Sequence, residues 1–491
     1  MGRPVNGLVA ALVLLVAMRT ADSFGPSIND NRIKNAYGHF CGIDHDERLL
    51  CWGRSLIGEK DILEPKVISR GRWSQVGVGL SHVCALNKDD AFIYCMGEGY
   101  SGQLGDGGPV GEPSSLNTMT PIVGGKKVTS LSVGDDHTCA IGETENAFCW
   151  GSNEFGQLGN GDNVSSSTPL KVFSDVDSWK TISAGTQHTC GTKNGIEAWC
   201  WGNNEHQEVN SSPEKSVLTP SKVAGSWRGV TAGDGYTLAV DGTGKGFGWG
   251  LNELIDVDFA YGGMLGDNSS SMCFDPRTGE LCQAADTVAA ESDNLSTADG
   301  LVDLTVQRTE NIVPIAGNRL WQTISAGGRV PCGIELGTGK MFCWGYTLGE
   351  AYVAGSPQSL DPVPLEGSTA DEFWVSVSSG IAGSRCGIQQ DGLGYCWGLN
   401  DFDCEGNCPL GDGTRNNSPT PVQVKGVKDW LAPGTEANAI VAPGPIVDAE
   451  IPGPIIGTPD SGGPDDALSS SYLAVPTSMA ILAAIASLLV G

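Results

Sequence analysis

Positive charge is scarce in this 491-residue chain, in which 29 Lys and Arg face 57 Asp and Glu for a formal net charge of −28. Binding to nucleic acid depends on basic side chains that neutralise phosphates, so the composition argues against a nucleic-acid partner. Charged residues of both signs make up only 18% of the chain, while glycine contributes 70 residues. This balance is typical of short strands joined by tight turns and argues against a largely helical or disordered protein.

Sequence motifs of common catalytic sites are also missing. The chain has no Gly-x-Ser-x-Gly elbow and no His-Glu-x-x-His pair. The glycine-rich stretch 242–246 lacks the spacing of a phosphate-binding loop. Acidic turns such as Asp106-Gly107 and Asp412-Gly413 lack the alternating carboxylates of a calcium loop. We therefore predict no catalytic residue, no cofactor and no metal site.

Long apolar runs are confined to the two ends of the chain. The N-terminal run, Leu8 to Met18, is followed by small residues up to Ser23. It is too short to span a bilayer comfortably, so residues 1–23 are predicted to be a secretory signal peptide rather than a membrane anchor. A signal peptide would direct the chain to an oxidising compartment, and the 16 cysteines are consistent with that location.

The C-terminal run, residues 473–491, has no Lys or Arg after it. Small residues at 461–463 and a polar spacer precede it, which is the arrangement of a glycosylphosphatidylinositol attachment signal. We predict Ser461 as the attachment site, with Asp460 and Gly462 as alternatives. A single transmembrane helix is the competing interpretation, although its length is marginal and Pro476 weakens it.

The segment before the apolar tail, residues 443–472, is rich in Pro, Gly and Ser and has no amphipathic period. It predicts a semi-extended stalk between the anchor and the preceding domain.

One hairpin pattern recurs seven times between residues 24 and 442. In the third copy, residues 137–141 (HTCAI) cross a polar turn and return at residues 148–151 (FCWG). A glycine-rich turn, a Pro-containing segment and a strand of the form Trp-x-x-Ile-x-Ala-Gly follow. Most repeats are roughly 50 residues long, which indicates one four-stranded blade per repeat.

Six copies carry one cysteine in each strand of the hairpin, and the seventh lacks both, with Leu238 and Gly248 in their places. Partners in one disulfide should disappear together, whereas metal ligands shared among repeats need not. We therefore predict six disulfides within hairpins: Cys41–Cys51, Cys84–Cys95, Cys139–Cys149, Cys190–Cys200, Cys332–Cys343 and Cys386–Cys396. Buried free thiols and a zinc site are the alternatives; the predicted compartment disfavours the first and the spacing disfavours the second.

Two insertions interrupt the repeats and contain the remaining cysteines. A loop at about 269–308 contains Cys273 and Cys282, and a shorter insertion contains Cys404 and Cys408. We predict that each pair forms a disulfide of its own.

The sequence of residues 150–159 (WGSNEFGQLG), the Ala-Gly-x-x-His strand at 184–188 and the repeat length resemble the regulator of chromosome condensation repeat. The resemblance covers about residues 33 to 441 and implies an all-β, seven-bladed β-propeller over residues 24–442. Residues 430–434 restart the pattern without a hairpin, so we expect them to form the strand that closes the ring with the N-terminal segment. The family includes a nuclear exchange factor, but this chain is acidic and addressed to export, so that activity is not carried over.

Four histidines share one repeat position, which indicates a shared structural role, namely a hydrogen bond that fixes the inner part of each blade: His39, His82, His137 and His188. A metal-binding ring of imidazoles is the alternative. Tyr236, Val330 and Ser384 at the equivalent position interrupt such a ring. The Trp of each Trp-Gly pair is expected in the blade core.

Five asparagines in predicted loops match the N-glycosylation sequon: Asn163, Asn210, Asn268, Asn294 and Asn416. Glycosylation suits an exported protein. Unmodified turn asparagines are the alternative.

These observations together predict a glycoprotein on the outer face of the plasma membrane, where it binds an extracellular protein or glycan without catalysis. The unusual loops, Leu254 to Arg308 and Asp401 to Cys408, are the expected contacts because a blade does not need them. An inhibitor of an extracellular enzyme is one form of this function. The alternative is a secreted hydrolase or lyase with carboxylates and a histidine at one mouth of the channel.

Overall fold

The computed structural model describes residues 32–55, 61–174, 177–255, 260–262, 264–265, 273–274, 281–282, 307–328, 330–348, 359–365, 372–380, 383–398 and 409–431. All of them belong to one compact unit, Met1–Ala442. The predicted signal peptide, stalk and apolar tail lie outside these residues, as do Ser461, Cys404, Cys408, Asn268 and Asn294. No helix in the described part of the chain has the length and apolarity needed to cross a bilayer.

Seven four-stranded antiparallel blades are built in chain order. Blade 1 is β1 (Ile33–Ala36), β2 (His39–Ile43), β3 (Leu49–Gly53) and β4 (Ile62–Ser69). Blade 2 is β5 (Trp73–Val78), β6 (His82–Asn87), β7 (Ile93–Gly99) and β8 (Ser114–Pro121). Blade 3 is β9 (Val128–Val133), β10 (His137–Gly142), β11 (Ala147–Gly151) and β12 (Ser166–Lys171). Blade 4 is β13 (Trp179–Ala184), β14 (His188–Lys193), β15 (Glu197–Asn203) and β16 (Ser216–Lys222).

The fifth blade contains the long insertion. It begins with β17 (Trp227–Ala232), β18 (Tyr236–Asp241) and β19 (Gly246–Ile255). Three short strands follow, β20 (Ala260–Gly262), β21 (Cys273–Phe274) and β22 (Leu281–Cys282), before β23 (Gln307–Pro314) completes the blade. Blade 6 is β24 (Trp321–Ser325), β25 (Cys332–Glu335), β26 (Met341–Leu348) and β27 (Ser359–Pro364). Blade 7 is β28 (Trp374–Ser379), β29 (Ser384–Gln389), β30 (Gly394–Gly398) and β31 (Ser418–Gln423). The predicted all-β, seven-bladed propeller is confirmed.

The glycine of each Trp-Gly pair ends the third strand with a backbone that only glycine adopts readily. Gly151 has φ of +104°, and a Cβ there would stand 2.4 Å from the carbonyl oxygen of Asp136. The register of β11 against β12 shifts at this point. The Trp-Gly motif therefore lies at a β-bulge, after which the chain turns into the loop before the fourth strand.

The six hairpin disulfides are formed as predicted, each within one blade. Their cysteines are directly opposed in the strand register, and their Cα atoms are 4.0 to 4.1 Å apart. Cys273 opposes Cys282 in the backbone register of β21 and β22.

Blade 5 fills the space of the missing disulfide with a leucine. Leu238 opposes Gly248 in the register and is fully buried. A Cβ on Gly248 would lie 2.9 Å from Leu238 Cδ2 and 3.1 Å from Leu265 Cδ2. Leucine and glycine thus share the volume that two cysteines occupy in the other blades.

Ring closure differs from the expected closing strand. Residues 430 and 431 are not in a strand, and blade 1 takes β1 from the N-terminal segment, so the predicted strand is wrong for these two residues, while residues 432–434 lie outside the described chain. Trp430 instead packs its indole 5.7 Å from that of Trp52 and over Gly42, in the space that each blade's leading tryptophan occupies.

Arg32 joins the two ends of the described ring. Its guanidinium donates to the carbonyl oxygens of Trp430 (3.2 Å), Leu431 (3.1 Å) and Asp44 (2.8 Å). In the adjoining contact, the side-chain amide of Asn35 donates to both the carbonyl oxygen and the hydroxyl of Ser384, at 2.7 and 2.9 Å. Blades 1 and 7 therefore share no sheet and are joined by these side chains together with single backbone bonds, such as that from Gly413 N to the carbonyl oxygen of Leu63 at 3.1 Å.

The alternating strand directions sort the connections onto two faces of the ring. Face A carries the turns from first to second strand and the connections from third to fourth strand. Face B carries the turns from second to third strand and the links to the next blade. Both insertions interrupt third-to-fourth connections, in blades 5 and 7, and so join the blades at face A.

Adding a methyl group at the Leu238–Gly248 pair should destabilise the ring. We expect Gly248→Ala to lower the free energy of unfolding by about 1–3 kcal/mol, because the new Cβ overlaps buried leucine side chains. Gly242→Ala is the matched control, since a Cβ there meets nothing within 4 Å. Chemical denaturation of both variants measures the difference, and equal stabilities would contradict this account of blade 5.

Candidate functional site

The central channel is narrow and lined mainly by small side chains from the first strand of every blade. Its volume is about 90 Å³, and its lining includes Gly134, Ala184, Gly233 and Ser378. Small-molecule sites usually occupy about 300–1,000 Å³ and contain converging polar groups. The channel interior is therefore too small for a typical small-molecule site, whereas its mouths are open to larger partners.

Three of the four repeat-position histidines connect one blade to the next. The Nε2 atoms of His82, His137 and His188 each lie 2.9 Å from a threonine hydroxyl of the following blade, respectively Thr138, Thr189 and Thr237. The predicted structural role is confirmed, with the addition that the bond runs between blades. His39 instead uses Nδ1, 2.7 Å from the carbonyl oxygen of Arg54 in its own blade.

The threonine hydroxyls fix the protonation state of these imidazoles. Thr189 donates to the carbonyl oxygen of Gln157 at 2.8 Å, so its oxygen is left to accept from His137 Nε2. The indole nitrogen of Trp201 donates to the same carbonyl at 2.8 Å. Burial lowers the pKa of His137 to about 4, and that of His82 and His188 to about 3. These histidines are therefore neutral Nε2–H donors inside the wall of the ring.

Other residues do similar work where the histidine is replaced. The hydroxyl of Tyr236 accepts from the backbone N–H of Gly327 in the next blade at 3.2 Å. Ser384 receives the amide of Asn35 across the closure. The described residues contain no group of three or more His, Cys, Asp or Glu arranged to hold a metal ion.

The mouth of the channel on face A is formed by the turns that follow the lining residues. Backbone bonds link neighbouring turns, for example from Leu80 N to the carbonyl of Asp135 at 3.0 Å and from Thr186 N to that of Gly233 at 3.2 Å. The hydroxyl of Tyr37 donates to Asp135 Oδ2 at 3.0 Å. Tyr37 therefore reaches from blade 1 to blade 3 beside the mouth.

Three carboxyl groups in the face A connections of blades 3, 4 and 5 are called the carboxylate cluster, because the charge of Asp234 acts on both of the others: Asp135, Glu208 and Asp234. Asp135 is 6% exposed, and its Oδ1 has no hydrogen-bond partner among the described residues. Burial, and then the charge of Asp234, raise the pKa of Asp135 well above its usual value.

Glu208 replaces a glutamine of the repeat. Its Oε2 accepts from the backbone N–H of His206 at 2.8 Å, as Gln103 Oε1 accepts from that of Ser101 at 2.9 Å. The other oxygen takes the place of the glutamine N–H2 group, which in Gln103 donates to Asp136 at 2.9 Å. Glu208 Oε1 is buried without a partner in the described part of the chain. Burial first, and then Glu205 and Asp234, raise the pKa of Glu208 to about 8.

The two faces differ in charge. In the described connections of face A, the basic residues are Arg54, Lys215 and Arg415, whereas the acidic residues are Asp61, Asp106, Glu112, Asp135, Asp136, Glu154, Asp162, Glu205, Glu208, Glu214, Asp234 and Asp412. In the described connections of face B, Lys and Arg are as numerous as Asp and Glu. The excess of acidic residues among the described connections therefore lies on face A.

The three sequons within the described residues also lie in third-to-fourth connections on face A. The side chains of Asn163 and Asn416 are exposed. Asn210 instead donates to the Ser221 hydroxyl at 2.9 Å and accepts from Ser212 N at 2.9 Å. Asn163 and Asn416 are thus better placed for modification than Asn210.

Comparisons with known proteins agree with the repeat analysis. The family model "Regulator of chromosome condensation (RCC1) repeat" matches residues 90–141 and 146–191, and a second model of this repeat matches residues 128–157. The ultraviolet-B receptor UVR8 of Arabidopsis thaliana is 25% identical over 359 residues, which cover 71% of this chain and 69% of UVR8. Human E3 ubiquitin-protein ligase HERC2 is 27% identical over 233 residues, 44% of this chain but only 5% of HERC2.

Among solved structures, Prp20p of Saccharomyces cerevisiae superposes with a TM-score of 0.56 at 17% identity, covering 82% of this chain and 94% of Prp20p. At that identity the likeness concerns the fold. The resemblance to regulator of chromosome condensation repeats is confirmed.

Removing one inter-blade hydroxyl should be costly. We expect Thr189→Val to lower the free energy of unfolding by about 1–3 kcal/mol, because it leaves His137 Nε2 and the Gln157 carbonyl with one partner fewer in a buried site. Thr189→Ser keeps the hydroxyl and serves as control in the same denaturation experiment. A valine variant as stable as the serine variant would contradict the structural role of this bond.

Replacing Glu208 by glutamine should change how stability depends on pH. The folded pKa of about 8 lies above the usual value of 4.5, so folded Glu208 keeps a proton that the unfolded chain releases. This group's contribution to stability is therefore lost as pH rises through that window. We expect Glu208→Gln to be more stable than wild type by about 1 kcal/mol or more at pH 8, and by less at pH 5. Thermal unfolding at both values tests this, and the lowered histidine pKa values, whose effect has the opposite sign, are common to both proteins.

Proposed function

We propose that this propeller of regulator of chromosome condensation repeats is an exported protein-binding module whose partner binds face A. The observation that carries the proposal is the contrast between the interior and face A. The polar residues that the repeat specifies inside the ring, such as His137 and Thr189, are used to join blades. The connections that contain the two insertions leave and re-enter their blades at face A, which also has the acidic excess among the described residues, and a blade needs neither feature in order to fold.

The relatives support a binding function rather than a particular partner. UVR8 is a receptor by name, and the solved structure of Prp20p is accompanied by its binding properties to Gsp1p and histones. For this chain we infer that a macromolecule binds to the loops of the ring. A glycan ligand is the other outcome that a binding experiment can give.

We place the protein outside the cell. The six hairpin disulfides suit an oxidising compartment, and the exposed Asn163 and Asn416 suit N-glycosylation. The N-terminal signal peptide and lipid attachment at Ser461 are part of this proposal.

The catalytic alternative would require an acid–base pair at the mouth. His82, His137 and His188 are buried and their Nε2 atoms bond threonine hydroxyls within the wall, so these three histidines are not available as bases at face A. The histidine that does lie in a face A connection is His206, whose backbone N–H donates to Glu208, so a catalytic site would have to be built on this residue.

A lipid anchor should make the protein releasable from intact cells. We expect phosphatidylinositol-specific phospholipase C to remove the epitope-tagged full chain from the surface of expressing cells, measured by surface fluorescence. Replacing residues 473–491 by a known transmembrane helix is the control and should abolish release. A surface protein that resists the enzyme would favour a native transmembrane segment.

N-linked glycans introduced by substitution can test which face binds the partner, because a glycan on that face blocks access; we call each such substitution a wedge. Ile196 is 56% exposed on face B, and Ile196→Thr completes a sequon with Asn194. On face A, Glu98→Asn with Tyr100→Thr creates a sequon at an exposed position beside the mouth. We expect proteins cross-linked to the full chain on living cells to be lost with the face A wedge and retained with the face B wedge. The reverse result would contradict the proposed face.

A further inference from the structure

We infer that a cavity at the face B end of blade 4 binds one neutral sugar ring of a glycan. The cavity has a volume of about 340 Å³, which lies within the range of small-molecule sites. It is on the opposite face from the proposed partner surface, so this second site does not depend on the proposed function. Its lining includes Phe173, Ser178, Lys193, Asn194, Trp199 and Thr219.

Blade 4 departs from the repeat beside this cavity. In blades 2, 5, 6 and 7, an aromatic ring of the third strand packs directly on the leading tryptophan, with centroids 5.4 to 6.1 Å apart. In blade 4, Lys193 Nζ instead lies 4.5 Å from the ring centroids of both Trp179 and Trp199. Lys193 opposes Trp179 in the strand register, where those four blades have Asn87, Asp241, Glu335 and Gln389. The cavity thus adjoins an arrangement of aromatic rings that the other four blades do not have.

Two aromatic side chains give the cavity an apolar wall. Trp199 is half-buried, and Phe173 is 56% exposed. Phe173 shares its repeat position with Val123 of blade 2, because the backbone N–H of each donates to a glycine carbonyl oxygen of the preceding loop, at 2.8 and 2.7 Å respectively. Exposed aromatic rings present a large apolar area at low conformational cost, and the C–H face of a sugar ring can cover such an area.

Polar side chains lie beside these rings. The hydroxyl of Ser178 has no hydrogen-bond partner in the described structure, although the residue is only 8% exposed. Such buried atoms are rare in folded proteins and call for an explanation. Asn194 is exposed in the neighbouring turn, and Thr219 is half-buried in the outer strand. Hydroxyl and amide groups can both donate and accept, so they match the hydroxyl groups around a sugar ring.

The ionised groups of the cavity already have partners. Lys193 Nζ donates to Ser174 Oγ at 2.7 Å, in addition to its contacts with the two indoles. Glu197 forms an ion pair with Lys222. These contacts favour a neutral ligand over an ion. A wholly apolar ligand would leave the Ser178 hydroxyl buried without a partner, whereas a sugar offers both an apolar face and hydroxyl groups.

Saturation-transfer NMR on the glycosylated full chain tests the inference, with the methyl glycosides of glucose, galactose, mannose and N-acetylglucosamine as probes. Phe173→Ala removes an exposed ring, and Ser178→Ala removes a hydroxyl that makes no bond in the described structure, so both variants are expected to fold. Should Ser178→Ala fail to show a cooperative thermal transition, Phe173→Ala carries the test. Val123→Ala is the matched control, because Val123 has the same repeat position in blade 2 and is 50% exposed.

We expect at least one of the four glycosides to bind the wild type. Phe173→Ala and Ser178→Ala should each weaken its affinity by roughly three- to tenfold, through the loss of one ring contact or one hydrogen bond. Val123→Ala should leave the affinity unchanged. Binding of none of the four glycosides, equal weakening by Val123→Ala, or unchanged affinity in the two cavity variants would overturn the inference. Saturation transfer to a proline-rich peptide but to none of the glycosides would also overturn it.

The face B wedge distinguishes this site from the proposed function. A glycan on Asn194 covers the cavity, so Ile196→Thr should block the glycosides while the cross-linked cellular partners are retained. Partners lost with the face A wedge, together with no glycoside bound by wild type, would remove the sugar site and leave the proposed function standing. A glycoside bound in the cavity, with partners unaffected by the face A wedge, would instead remove the proposed function.

Discussion

Buried hydroxyl groups between blades hold this ring together. A threonine hydroxyl in each of blades 3, 4 and 5 accepts a hydrogen bond from a histidine of the preceding blade. The hydroxyls of Thr189 and Thr237 in turn donate to loop carbonyl oxygens of that preceding blade. Those carbonyls also receive an indole N–H from the blade that supplies the threonine. Because every partner is buried, each bond would be expensive to break, and the most regular polar residues of the chain are committed to structure.

The same constraint explains where the repeat can vary. Blade 5 replaces a disulfide by Leu238 and Gly248 because the volume between the two strands, rather than the sulfur chemistry, has to be conserved within the ring. At the closure, Trp430 fills a tryptophan position from the far end of the chain, and Arg32 bonds its backbone. Each exception keeps a buried volume or a hydrogen bond that the regular repeat supplies by other residues.

Face A is where the chain departs from the repeat without such a replacement. Glu208 occupies a glutamine position of the repeat, and one of its carboxyl oxygens has no hydrogen bond in the described structure. Asp135, in the turn between the first and second strands of blade 3, also has one oxygen without a hydrogen bond there. Carboxyl groups whose pKa is raised by burial, and further by the charge of Asp234, are a cost to the folded ring. Proteins keep such costs mainly where binding or catalysis uses them, which is why the proposed partner site lies here rather than on face B.

The fold of one blade, the number of blades and the pairing of the hairpin cysteines were determined by the sequence alone. The hairpin motif recurs with a regular spacing, and Leu238 and Gly248 replace both cysteines of one pair. Those are local relationships between opposed strands, which the order of residues encodes directly. The closure by Trp430 and Arg32, the bonds from His82, His137 and His188 to the next blade, and the effect of Asp234 on Asp135 and Glu208 were decided only by the tertiary structure. These contacts join residues of different blades, and the distances between such residues depend on the angle at which neighbouring sheets pack around the ring. The spacing of residues within one repeat does not determine that angle.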